Sequence, residues 1–100
     1  WVQPLLKKFE KTYKMQRHAF AEDPIEVFAR QVWVSPYYED DLHDLKAKVG
    51  ADHMLFGSDW PHAEGLRNPV DFVADLDGFD SAEVEQIMRT NGLALAARAV

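Results

Sequence analysis

An α/β fold is predicted for this chain from three observations. Two short apolar runs, Val32-Trp33-Val34 and His53-Met54-Leu55-Phe56, have the β-branched and aromatic character of buried strands. One amphipathic helix lies between them. That order calls for parallel neighbours joined by a right-handed crossover. The runs are continuous rather than alternating, as expected of strands covered on both faces. Two such strands do not complete a parallel sheet, so further strands are expected from a longer chain or from another copy.

The remaining elements follow from local signals. Val2, Leu5, Leu6, Phe9 and Tyr13 recur at helical spacing, with Pro4 in the first turn, where its missing N–H costs nothing. Arg17 to Glu22 reads as a connection. Asp23-Pro24 reads as a cap and a first-turn proline opening a short helix over Ile25 to Arg30. Pro36 closes the first apolar run. Glu39, Asp40 and Asp41 make an acidic helix start. Leu42, Leu45 and Val49 supply that helix's apolar stripe, and Gly50 ends it. Gly57 stops the second run, and residues 61–69 form a loop. Val70, Phe72, Val73 and Leu76 mark a short helix ending near Gly78. Asp80 with Glu83 has the form of a capping box. Val84, Ile87 and Met88 follow, Asn91-Gly92 breaks the helix, and Leu93 to Val100 forms the last one.

With 100 residues the chain allows a single domain, residues 1–100. Apolar residues at 47% and charged residues at 28% match globular usage and exclude a disordered segment or a fibre. There is no cysteine and hence no disulfide, which fits a reducing compartment, and a cytoplasmic location is expected. No apolar run approaches the roughly 20 residues of a membrane helix, and no secretory signal opens the chain. It starts on Trp1, so a piece of a longer polypeptide is expected. The net charge of −6 is uneven: residues 1–17 carry +4 and the remainder −10. The acidic body argues against a nucleic-acid surface. The basic segment reads as a solvated helix face or as a contact for an acidic partner.

The stretch Phe56-Gly57-Ser58-Asp59-Trp60-Pro61-His62 carries the chemistry. An acid placed just past the C-terminal end of a buried strand stands where parallel α/β folds put ligands and catalytic groups. Asp59 is suited to bind a hard or borderline cation, to take a proton from metal-bound water, or simply to shape an Asx turn. His62, three residues on, lines the same pocket, supports a ligand from behind, or is a solvated loop histidine. Trp33, Tyr37 and Tyr38 flank the end of the first strand, as pocket walls or as core. His53 and His43 sit on a strand and a helix and are not read as ligands, and His18 has no visible partner. Ser58 has neither a base nor an elbow motif. No phosphate-binding glycine loop is present.

Val32-Trp33-Val34-Ser35-Pro36-Tyr37-Tyr38-Glu39 and Gly50-Ala51-Asp52-His53-Met54-Leu55-Phe56-Gly57-Ser58-Asp59-Trp60-Pro61-His62 resemble the C-terminal part of the amidohydrolase-related family, in the branch similar to aminocarboxymuconate-semialdehyde decarboxylase. Ile87-Met88-Arg89-Thr90-Asn91-Gly92 resembles that family's last helix pair, where an asparagine recurs. The resemblance implies part of a metal-dependent (β/α)8 TIM barrel, approximately strands 7 and 8 with their helices and the C-terminal helices. It implies Asp59 as metal ligand and proton handler; His62, Trp60 and Tyr37 are, from their positions in the chain, candidates to line the pocket. It implies a divalent cation, zinc by preference, in the full-length protein. The family's other ligands, a His-x-His and a further His, belong to upstream positions outside these residues. This 100-residue chain is therefore expected to hold metal weakly or not at all. The implied activity is that of a metal-dependent hydrolase or decarboxylase acting on a small, carboxylated organic substrate. The alternative is a non-catalytic fragment that folds by self-association or by docking. The partners expected are the substrate and either further copies or the remainder of the barrel, with neither nucleic acid nor membrane.

Overall fold

Backbone hydrogen bonds decide how the chain departs from the α/β order. The structure, a computed structural model, describes residues 1–37 and 41–98. The expected acidic helix start at Glu39 and Asp40, the aromatic Tyr38, and the end of the last helix at Val100 lie outside the described residues. The two apolar runs do meet in parallel, but only through a single isolated bridge between Val34 and Met54. Val34 N–H donates to the His53 carbonyl at 2.9 Å, and Leu55 N–H donates to the Val34 carbonyl at 2.8 Å. The next rung would need an N–H at position 36, and Pro36 has none. The preceding rung would need the N–H groups of Val32 and His53. These already donate to the carbonyls of Phe28 at 2.9 Å and Gly50 at 3.2 Å. On the far side of the second run, Phe56 N–H donates to the Ile87 carbonyl at 3.0 Å. The donors at positions 32, 36 and 53 are thus missing or spent, and the bridge is not extended through them.

The partial barrel with strands 7 and 8 is therefore corrected. Among the described residues no strand forms, and the elements are helical. His53, expected to open a strand, closes a 3-10 turn over Ala51–His53 instead.

The chain divides into two compact units, Trp1–Val32 and Trp33–Val100. In the first, helix α1 (Val2–Met15) is followed by a 3-10 turn, Arg17–Ala19, and by helix α2 (Pro24–Gln31). The Asp23 carboxylate caps α2 by accepting from Ile25 N–H at 2.9 Å, with Pro24 in its first turn. Edge-on ring contacts join Phe28 to Trp1 and Phe9, and Tyr13 to Phe20. Val2, Leu6 and Phe28 are buried.

In the second unit, helix α3 (Leu42–Val49) starts on the Asp41 cap, whose carboxylate accepts from Asp44 N–H at 2.8 Å. A 3-10 helix, Pro69–Leu76, occupies the segment read as a short helix. Asp80 and Glu83 form the expected capping box at the start of helix α4 (Ser81–Glu85). One π-helical turn, Gln86–Thr90, carries α4 directly into helix α5 (Asn91–Arg98). Asn91-Gly92 thus does not break the helix, because the Asn91 side chain finds partners off the helix and does not compete for its backbone. Val34, Pro36, Leu45, Val49, Met54, Phe72, Leu76 and Ile87 are buried here. Among the described residues no helix is long and apolar enough to cross a membrane.

Candidate functional site

The loop that follows Phe56 is shaped by close backbone approach. A Cβ at Gly57 would stand 2.6 Å from the Pro36 carbonyl oxygen and 2.7 Å from Ser35 Oγ, so no larger residue fits. Ser58 Oγ accepts from Trp60 N–H at 3.3 Å. Asp59 has φ +52°, a left-handed conformation that Asp tolerates better than most residues. The Trp60-Pro61 peptide is cis. His62 N–H donates to the Asp59 carbonyl at 2.9 Å, Gly65 N–H to the His62 carbonyl at 2.9 Å, and Leu66 N–H to the Ser58 carbonyl at 2.8 Å. At Gly65 a Cβ would collide with the carbonyl of Asp59. The Tyr37 hydroxyl donates to the Glu64 carbonyl oxygen, tying the loop to the segment after the Val34 bridge.

This folding brings Asp59, His62 and Glu64 together. One ligand atom from each lies within 4.8 Å of the other two, and all three side chains are exposed. Two carboxylates and an imidazole form a donor set that suits zinc and other borderline divalent cations. Ligand atoms on a tetrahedral ion stand about 3.4 Å apart for bonds of about 2.1 Å. The donor types present fit a divalent cation, with ligand atoms grouped within 4.8 Å rather than at ligating distance.

Glu64 was not among the residues singled out from the sequence. Its only signal is the Asp-x-x-His-x-Glu spacing, which becomes meaningful once the loop doubles back at Gly65. Trp60, the residue after Asp59, has 61% of its surface exposed. Tyr37 is half-buried and reaches the loop through its hydroxyl. Two other histidines are engaged elsewhere: His43 Nε2 lies 2.9 Å from the Asp77 carbonyl oxygen, and the His53 ring packs edge-on against Trp33 at 4.3 Å.

The second unit combines short helices with a loop carrying Asp, His and Glu, and comparison with known proteins gives the chain a family. The family model described as Amidohydrolase matches residues 4–95, and the chain belongs to the amidohydrolase family. It is similar to the crystal structure of an amidohydrolase from Mycobacterium avium subsp. paratuberculosis K-10, with 49% identity and a TM-score of 0.87 over 94% of this chain. The chain spans 24% of that protein's length. No curated protein matches it significantly.

Proposed function

We propose that this chain is the C-terminal part of a metal-dependent hydrolase or decarboxylase of the amidohydrolase family, acting on a small carboxylated substrate. The observation that carries the reading is the convergence of Asp59, His62 and Glu64 on one loop. Glu64 adds a third donor to the two legible in the sequence, and in the complete protein the family's upstream histidines would join Asp59 to complete the site, so this chain alone is expected to hold metal weakly. The narrower placement beside aminocarboxymuconate-semialdehyde decarboxylase is supported by the Gly-Ser-Asp-Trp-Pro-His run at 57–62.

A divalent cation bound there supplies Lewis acidity, which acidifies water and polarises a carbonyl or carboxylate. The chain's own groups do the rest. In the hydrolytic version an Asp59 Oδ would take a proton from the attacking water and pass it to the leaving group as the C–O or C–N bond breaks; in the decarboxylating version it would take a proton from water and deliver it to the substrate carbon as CO2 departs. The His62 imidazole holds a substrate oxygen by hydrogen bonding. The Trp60 ring offers an apolar face to the organic part of the substrate.

Zinc titration by calorimetry on this chain, beside Asp59→Asn, tests the reading. In a protein completed with the remaining three-quarters of the family's length, turnover and metal content are measured together. Asp59→Asn is expected to abolish most turnover and to weaken metal retention with the fold intact. Equal zinc affinity and equal turnover in the two proteins would sink the assignment.

A second reading rests on exposed apolar surface in the second unit, where Val70, Val73 and Leu93 are 61%, 48% and 58% exposed. In that reading the chain is non-catalytic and associates with further copies or with the remainder of its domain. Light scattering that finds a monomer at micromolar concentration would refute self-association.

A further inference from the structure

We infer that Asn91 is a positioning residue for the Asp59–His62–Glu64 loop, an inference that rests on the metal reading above. The segment from Ala51 to Ser58 delivers the chain to Asp59, yet among the described residues a single bridge is all the ladder that holds it. Helix α5 and the π-turn before it supply the missing restraint. Asn91 is a buried polar residue, 8% exposed. Its Nδ2 donates to the carbonyl oxygens of Ala51 and Met54, both at 2.8 Å, which uses the two protons of the amide. Asn91 N–H bonds to the Gln86 carbonyl, one residue beyond its α-helical partner Ile87. The Ile87 carbonyl accepts from Phe56 N–H instead, at 3.0 Å.

One helical turn therefore grips the segment at residues 51, 54 and 56. From there the ties run on to the loop. Ser35 Oγ donates to the Phe56 carbonyl at 3.1 Å, and Leu66 N–H closes on the Ser58 carbonyl. π-turns concentrate at functional sites, and here the turn frees the carbonyl that anchors the residue three before Asp59. The job that a neighbouring strand would do in a sheet is done by a side-chain amide and one displaced carbonyl.

The test uses the whole chain, with amide hydrogen exchange read by mass spectrometry and Zn2+ titration read by calorimetry. Asn91→Asp keeps the shape and removes both donors. It is expected to speed exchange across residues 51–66 at least tenfold more than across α1 and α2, and to weaken zinc about tenfold, the low end of the range seen for residues that support ligands from behind. Gly92→Ala, one position along with open space around it, is expected to do neither. Uniformly faster exchange with unchanged zinc affinity would mean a general structural role and overturns the inference. If wild type takes no zinc while exchange still rises selectively, the metal reading fails and the positioning role stands. If Asn91→Asp does not fold, the wild type decides, because coupling is reciprocal. Saturating Zn2+ must then slow exchange of the Asn91 side-chain amide protons, read by NMR, and unchanged rates overturn the inference.

Discussion

Lys46 on α3 and Glu83 in the first turn of α4 form an ion pair of 3.0 Å across 37 residues of sequence, with only 28% and 23% of the two side chains exposed. The same Glu83 carboxylate accepts from Asp80 N–H at 3.1 Å, so one side chain both caps α4 and ties it to α3. The Lys46 ammonium also stands 4.5 Å from the centre of the Phe79 ring. The two partners are thus unequal. Lys46→Met should cost about 1 kcal/mol, the upper range for a pair that keeps some solvent. Glu83→Ala should cost about 1–2 kcal/mol, because the cap is lost as well. Urea denaturation of both variants checks the order, and equal losses would contradict it.

Phe72 is 2% exposed and meets the Phe56 ring edge-on at 5.9 Å. Phe72→Ala removes a buried ring from beside the strand-less segment that leads to Asp59. A loss of about 3–5 kcal/mol in unfolding free energy is expected, read from urea denaturation. A loss below about 1 kcal/mol would show that this core is not packed as described.

Two glycines should respond in opposite directions. Gly65→Ala drives a Cβ into the Asp59 carbonyl and to 2.9 Å from the Ser58 carbonyl oxygen, so the loop must open. It should cost about 1–3 kcal/mol and spread the three ligand side chains, lowering zinc affinity. Gly92→Ala meets nothing within 4 Å and lies in α5. It should stabilise by about 0.5–1 kcal/mol. Thermal melts of the two variants, measured side by side, test the pair.

The Asp23 cap gives a prediction confined to the first unit. Asp23→Ala removes the acceptor of the 2.9 Å bond from Ile25 N–H and should cost about 1 kcal/mol, with Asp23→Asn restoring most of it. Helix content by circular dichroism at rising temperature reads the effect. Asn behaving like Ala would show that the cap contributes nothing.

Helix starts and stops were legible because their causes are local. Asp23-Pro24, Asp41, Gly50 and the Asp80–Glu83 box each act within four residues, and each appears where composition places it. The resemblance to the amidohydrolase family was legible in residues 57–62 and agrees with the family match over residues 4–95. The two apolar runs were misjudged, because a buried run of three or four residues has the same composition whether or not a ladder forms. Pro36 was in plain view as the end of the first run. That it also deletes the next rung follows only once Val34 is paired with Met54.

Asp59 and His62 stand three apart in the chain, so their candidacy was visible from spacing alone. Which donors share a site depends on the path between them. Glu64 joins Asp59 and His62 because Gly65 lets the backbone pass against the Asp59 carbonyl. Asn91-Gly92 read as a helix break, and asparagine does often compete for its own backbone. Forty residues earlier in the chain, the Ala51 carbonyl gives it a better partner, and the helix continues through it. Capping and periodicity are settled between neighbours in sequence, whereas a buried donor takes whichever acceptor the packed chain brings within reach.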